Sequence, residues 1–107
     1  MAVGAFETAT SVNPDSFEAF FNLAACHEQM GDPFRAMNIY RRLLNLRPDD
    51  PDCYANIGTC CIKLFHRERN VGWRTMAIEA WRHSLNLRPD QTDVREYLAS
   101  CLPSGDE

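Results

Sequence analysis

The chain has 107 residues, 45% of them hydrophobic, and a net charge of −4, enough for one small domain with its own core. That acidic balance excludes a general nucleic-acid binder, which needs clustered cations against phosphate. No apolar run is long enough to cross a membrane, the opening MAVGAFETAT lacks both parts of a secretory leader, and five cysteines without a CxxC pair fit a reducing compartment, so a cytoplasmic chain is expected.

Residues 1–13 place Ala2, Phe6, Ala9 and Val12 each 34 positions before Ala36, Tyr40, Leu43 and Leu46, and Pro14 lies 34 before Pro48. The segment reads as the second helix of an incomplete repeat, whose partner is either missing or supplied by something else. A complete repeat follows over 14–50. Asp15 is expected to cap its first helix, with Glu18 completing a capping box. Phe20, Leu23, Ala24, His27 and Met30 recur at helical spacing, Gly31-Asp32-Pro33 interrupts, and Ala36, Tyr40, Leu43 and Leu44 resume before Pro48 closes the unit. Asp32-Pro33 and Asp50-Pro51 read as helix starts, a capping carboxylate followed by a proline at a position that needs no N–H.

From 51 to 90 the unit returns. Tyr54, Ile57, Gly58, Cys61, Leu64 and Phe65 share one face, and Trp73, Met76, Ala77, Ala80, Trp81 and Leu85 share the next. Pro48 and Pro89 are 41 apart, seven more than the period, and the extra residues fall near 65–71. Seven residues make almost two helical turns, so lengthened helices and a loose loop are equally compatible with the phase. Residues 91–102 read as a closing helix, with Leu98 and Ala99 in the places of Leu23 and Ala24, and 103–107 as a polar tail.

This spacing, with small residues at Ala24 and Ala36, the Gly-Asp turn, aromatic Tyr40 and a final Leu-x-Pro, resembles the tetratricopeptide repeat, whose period is about 34 residues. The resemblance implies an all-α fold: five or six antiparallel helices in a right-handed solenoid of about two and a half repeats. It also implies a non-enzymatic module for protein–protein interaction, binding an extended peptide in a concave groove. The competing reading is architectural, a segment of a large multi-protein assembly, itself part of a longer array, that stacks through its end helices. Phe17 and Phe21 at the amino end would then support self-association.

On the face that the family turns to its groove stand Glu18, Phe21, Asn22, Ala25 and Gln29, then Asp52, Ala55, Asn56, Thr59 and Lys63, then Asp93, Glu96 and Tyr97. Asn22 and Asn56 are one period apart. Each amide offers a donor and an acceptor, so the pair either holds a peptide backbone or simply bonds to its neighbours. Acidic residues outnumber the single lysine, which predicts a neutral to basic guest. Chaperone-binding members grip a terminal carboxylate with cations, but the matching places here hold Phe21, Ala25, Asp52, Asp93 and Tyr97, so that clamp is missing.

Cys26, Cys60 and Cys101 share one repeat position and read as packing residues, as do the other two cysteines. Since Cys60 and Cys61 are adjacent, one of them is expected to be more exposed. His27 reads as a core residue, and His66 and His83 as solvated. No cofactor, metal or catalytic motif is expected. The insert adds Arg67, Arg69, Trp73 and Arg74 at a projecting corner, either a solvated face with Trp73 folded onto the core or a second docking surface.

Overall fold

The computed structural model describes residues 16–101, which form five helices. These are α1 (Phe17–Gln29), α2 (Pro33–Leu43), α3 (Pro51–Glu68), α4 (Val71–Leu87) and α5 (Thr92–Cys101). Among the described residues there is no strand, and no helix is long and apolar enough to cross a membrane. The helix expected over 1–13 and the tail over 103–107 lie outside the described residues. Each helix packs chiefly on its neighbours in the chain. The result is the all-α stack of antiparallel hairpins that the repeat period implies.

The starts are built as short side chains dictate. Asp32 Oδ1 accepts from Arg35 N at 3.2 Å and Asp50 Oδ1 from Cys53 N at 3.0 Å, each with proline next in the helix. The cap of α1 is Ser16, whose Oγ accepts from Ala19 N at 3.2 Å. That replaces the expected Asp15, which lies outside the described residues.

The first hairpin turns on glycine. Gly31 has φ +83°, its N–H donates to Glu28 O at 3.0 Å, and Asp32 N donates to His27 O at 2.8 Å. Those two bonds are the Schellman pattern, which a residue without Cβ enters at no steric cost. The helix therefore ends at Gln29, and Met30 leaves the apolar face on which the sequence placed it: 59% of it is exposed.

The seven extra residues of the second repeat are helical. Relative to the first repeat, α3 gains five residues at its end, α4 gains three at its start, and the connecting turn is one residue shorter. The turn holds Arg69 at φ 57°, the left-handed region, with its N–H donating to Phe65 O at 2.7 Å. A side chain is strained there. Arg69→Gly should therefore raise stability by about 0.5–1 kcal/mol, the relieved strain outweighing the extra freedom of the unfolded chain. Urea titration of the two proteins checks this, and a lower midpoint for the glycine variant would refute it.

The core lies where α3 is held between α2 and α4. Because both flanks of α3 are covered, Cys60 and Cys61 are both fully buried, together with Cys53, Ile57, Gly58 and Leu64. The expectation that one of the adjacent cysteines is exposed fails for that reason. Gly58 lies directly against the indole of Trp81, whose Nε1 donates to Ala55 O at 3.1 Å. At the other end of the hairpin, buried Ser84 donates to Pro51 O at 2.8 Å and accepts from Gln91 Nε2 at 2.9 Å. Gln91 also donates to Arg88 O at 2.9 Å, so one amide ties the end of α4 back to the start of α3.

Candidate functional site

Four of the residues assigned to the groove meet in one hollow. Glu18, Phe21, Asn22 and Asp52 line an open cavity of about 340 Å³ with Phe17, Arg47 and Asp50. The amino-terminal halves of α1 and α3 supply most of this wall. Residues one period apart on successive first helices are brought side by side, as stacking of like hairpins requires.

The aromatic floor is fixed from beneath. The rings of Phe17 and Phe21 stack at 6.0 Å, and Phe21 meets Tyr40 edge-on at 5.3 Å. Asn22 is exposed and Asn56, further along, is half-buried. Gln29, Asn56, Thr59, Lys63, Asp93 and Tyr97 are not walls of the hollow. Thr59 Oγ1 donates within its own helix to Ala55 O at 3.1 Å, and Asp93 Oδ1 accepts from Val94 N at 2.9 Å. Tyr97 is 46% exposed with its ring 5.7 Å from Trp81, so α5 approaches α3 through that indole.

The charges are more balanced than the sequence suggested. Arg47 holds its guanidinium 4.0 Å from the centre of the Phe17 ring, and Arg88 pairs with Asp52 at 3.0 Å. Each arginine precedes the closing proline of its repeat and folds back on the opening turn of that same repeat. The recurrence of Leu-Arg-Pro at 46–48 and 87–89 is the signal that would have identified both. Lys63 is engaged by Glu28 at 3.1 Å, and Glu28 also accepts from Tyr40 Oη at 2.9 Å. This carboxylate joins α1, α2 and α3. Burial, reinforced by Glu28, pushes the Tyr40 phenol upward.

No group of three or more His, Cys, Asp or Glu side chains suited to a metal occurs among the described residues. Burial raises the Cys53 thiol to about 12 and the Cys61 thiol to about 11, and raises Cys60 as well. Thiols shifted this way carry no thiolate at neutral pH, so none of the three is an activated nucleophile. His27 is buried, while His66 and His83 are exposed, with the His83 ring 4.1 Å from Tyr54.

The residues of the second docking surface separate. Arg67 donates to Gly31 O at 2.8 Å, tying the two hairpin tips together, and Arg69 lies 5.7 Å over the Phe65 ring. Trp73 Nε1 donates to Glu68 Oε1 at 2.8 Å while its ring meets Phe34 edge-on at 6.3 Å. Arg74 turns away and donates to Cys101 O at the end of α5.

A family model described as anaphase-promoting complex, cyclosome, subunit 3 matches residues 1–68. No curated protein matches the chain. Among solved structures, the crystal structure of MamA aligns with a TM-score of 0.79 at 16% identity, covering 92% of this chain and 54% of that one. At that identity the likeness concerns the fold, and the chain spans about half the length of its structural neighbour.

Proposed function

The chain belongs to the anaphase-promoting complex, cyclosome, subunit 3 family, a tetratricopeptide-type repeat family, and from that premise we propose a non-enzymatic module that holds an extended, neutral to basic segment of another protein along the inner face of α1, α3 and α5. The fold is that of a protein–protein interaction module. The observation that carries the finer reading is the hollow, in which an exposed amide, Asn22, stands between an aromatic floor and the carboxylates of Glu18 and Asp52. An amide of this kind holds backbone groups without reading side chains, and the Glu18 carboxylate favours a cationic neighbour, Asp52 being already paired with Arg88.

Each amide–backbone bond contributes about 0.5–1.5 kcal/mol. Asn22→Ala with Asn56→Ala should therefore weaken a bound peptide by about tenfold or more while leaving the helical signal unchanged. A peptide array probed with both proteins checks this, with neutral and basic sequences expected to dominate the asparagine-dependent spots. Asparagine-dependent spots that are mainly acidic would overturn the proposal.

A second reading is favoured by the name of the matching family, which is a subunit of a complex. In it the chain is an architectural segment that stacks or self-associates through its amino-terminal end. Phe17, Phe20 and Phe21, all partly buried, lie in α1 toward that end. Such a segment loses assembly on substitution of Phe6, Phe17 or Phe21, of which Phe6 lies outside the described residues, and is indifferent to the two asparagines.

A further inference from the structure

The hairpin tips carry a surface that the trough does not use. Met30, Phe34 and Val71 are 59%, 49% and 67% exposed, and exposed apolar side chains carry meaning when they gather at one end of a fold. All three stand at the tips of the two hairpins. Met30 precedes Gly31, whose carbonyl accepts from Arg67, and Phe34 at the start of α2 touches Trp73, two residues beyond Val71 at the start of α4. The first repeat thus supplies Met30, Phe34 and Arg35, and the lengthened second repeat supplies Val71, Trp73, Arg67 and Arg69. Arg67 and Trp73, which make the two contacts between the tips, both lie in the turns added to α3 and α4.

The charge of this corner is opposite to that of the chain. Arg35, Arg67 and Arg69 are exposed there beside exposed His66, against two carboxylates that are already engaged. Asp32 caps α2 and meets Arg35 at 3.5 Å, and Glu68 accepts from the Trp73 indole. Arg69 lies over the face of the Phe65 ring, a contact that leaves its charge unneutralised. Apolar side chains rimmed by cations complement a segment that is apolar and acidic.

We propose that the paired tips form a second binding surface, separate from the trough, for an acidic segment of a partner protein that presents bulky aliphatic or aromatic side chains. Met30, Phe34 and Val71 receive the apolar side chains, and Arg67 and Arg69 face the carboxylates. The partner's charge distinguishes it from the guest of the trough, so the two sites are not competitors.

The test is fluorescence anisotropy with the whole chain and a labelled twelve-residue peptide alternating Asp or Glu with Leu or Phe. Saturable binding is expected, weakened at least about fivefold by Phe34→Ala and by Arg69→Gly, and unaffected by the double asparagine variant. Arg69→Gly relieves backbone strain, so a weaker complex from that variant is not a folding defect. The proposal is overturned if the peptide does not saturate below about 1 mM, or if a peptide with Lys in place of the acids binds as well. It also fails if the asparagine variant abolishes binding, which puts the peptide in the trough. It fails equally if Phe34→Ala changes the sedimenting mass of the chain but not the anisotropy, which makes the occupant a second copy.

Discussion

Gly58→Ala should cost about 2–3 kcal/mol, although alanine is the better helix former. In the middle of a helix the exchange alone gains about 1 kcal/mol. Here it does not, because a Cβ on Gly58 would meet Nε1, Cδ1 and Cε2 of Trp81, the last at 2.8 Å. Trp81 has nowhere to go: it is 2% exposed, bonded to Ala55 O and backed by Tyr97. Overpacking of this kind costs about 1–3 kcal/mol, and moving the indole takes its buried Nε1–H away from the Ala55 carbonyl at about 1–3 kcal/mol more. For a domain of this size the net loss lowers the melting temperature by roughly 10–20 °C. Thermal unfolding followed by circular dichroism reads it directly. Trp81→Phe placed in the same chain should restore part of the loss, and a coupling below about 0.5 kcal/mol would show that the indole is not the obstacle.

The same contact explains what the sequence could and could not reveal. Gly58 is legible as a place of close approach because Ala24 and Ala99 stand one period away on either side, the second after the added residues. What it approaches is not legible, since Trp81 is the neighbour only once α3 and α4 have paired. The helix starts at Asp32-Pro33 and Asp50-Pro51 were readable for a local reason: capping is completed within four residues. The exposure of Met30 was not, because periodicity continues past the point where Gly31 ends the helix. Cys60 and Cys61 fail in a related way. A single apolar stripe predicts one buried face, and α3 has two covered flanks. In the trough, repeat offset identified residues that line one hollow, such as Asn22 and Asp52, but missed Arg47 and Arg88. Those arginines lie on other segments and reach the site only by folding back.

Burying three thiols has a consequence at high pH that the first variant does not share. Cys53, Cys60 and Cys61 are shielded from water, and burial holds Cys53 at about 12, Cys61 at about 11 and Cys60 likewise above its ordinary value. An unfolded thiol ionises near about 8.5. Below that pH both states are protonated and the stabilisation is complete. Above it the unfolded chain releases protons that the folded chain keeps, so stability falls with pH until the folded thiols titrate as well. Each thiol contributes about 1.4 kcal/mol per pH unit, and three together about 4 kcal/mol. Tyr40, raised by burial and by Glu28, adds to the slope once the unfolded phenol ionises near about 10. Since a small domain has only about 5–15 kcal/mol in reserve, the chain should unfold cooperatively by about pH 11. Urea titrations between about pH 8 and pH 10.5 under reducing conditions measure the slope. Replacing any one of the three cysteines by alanine should lower the slope by about a third, whatever it does to the value at neutral pH. A slope that survives replacement of all three would assign the alkaline transition to other groups.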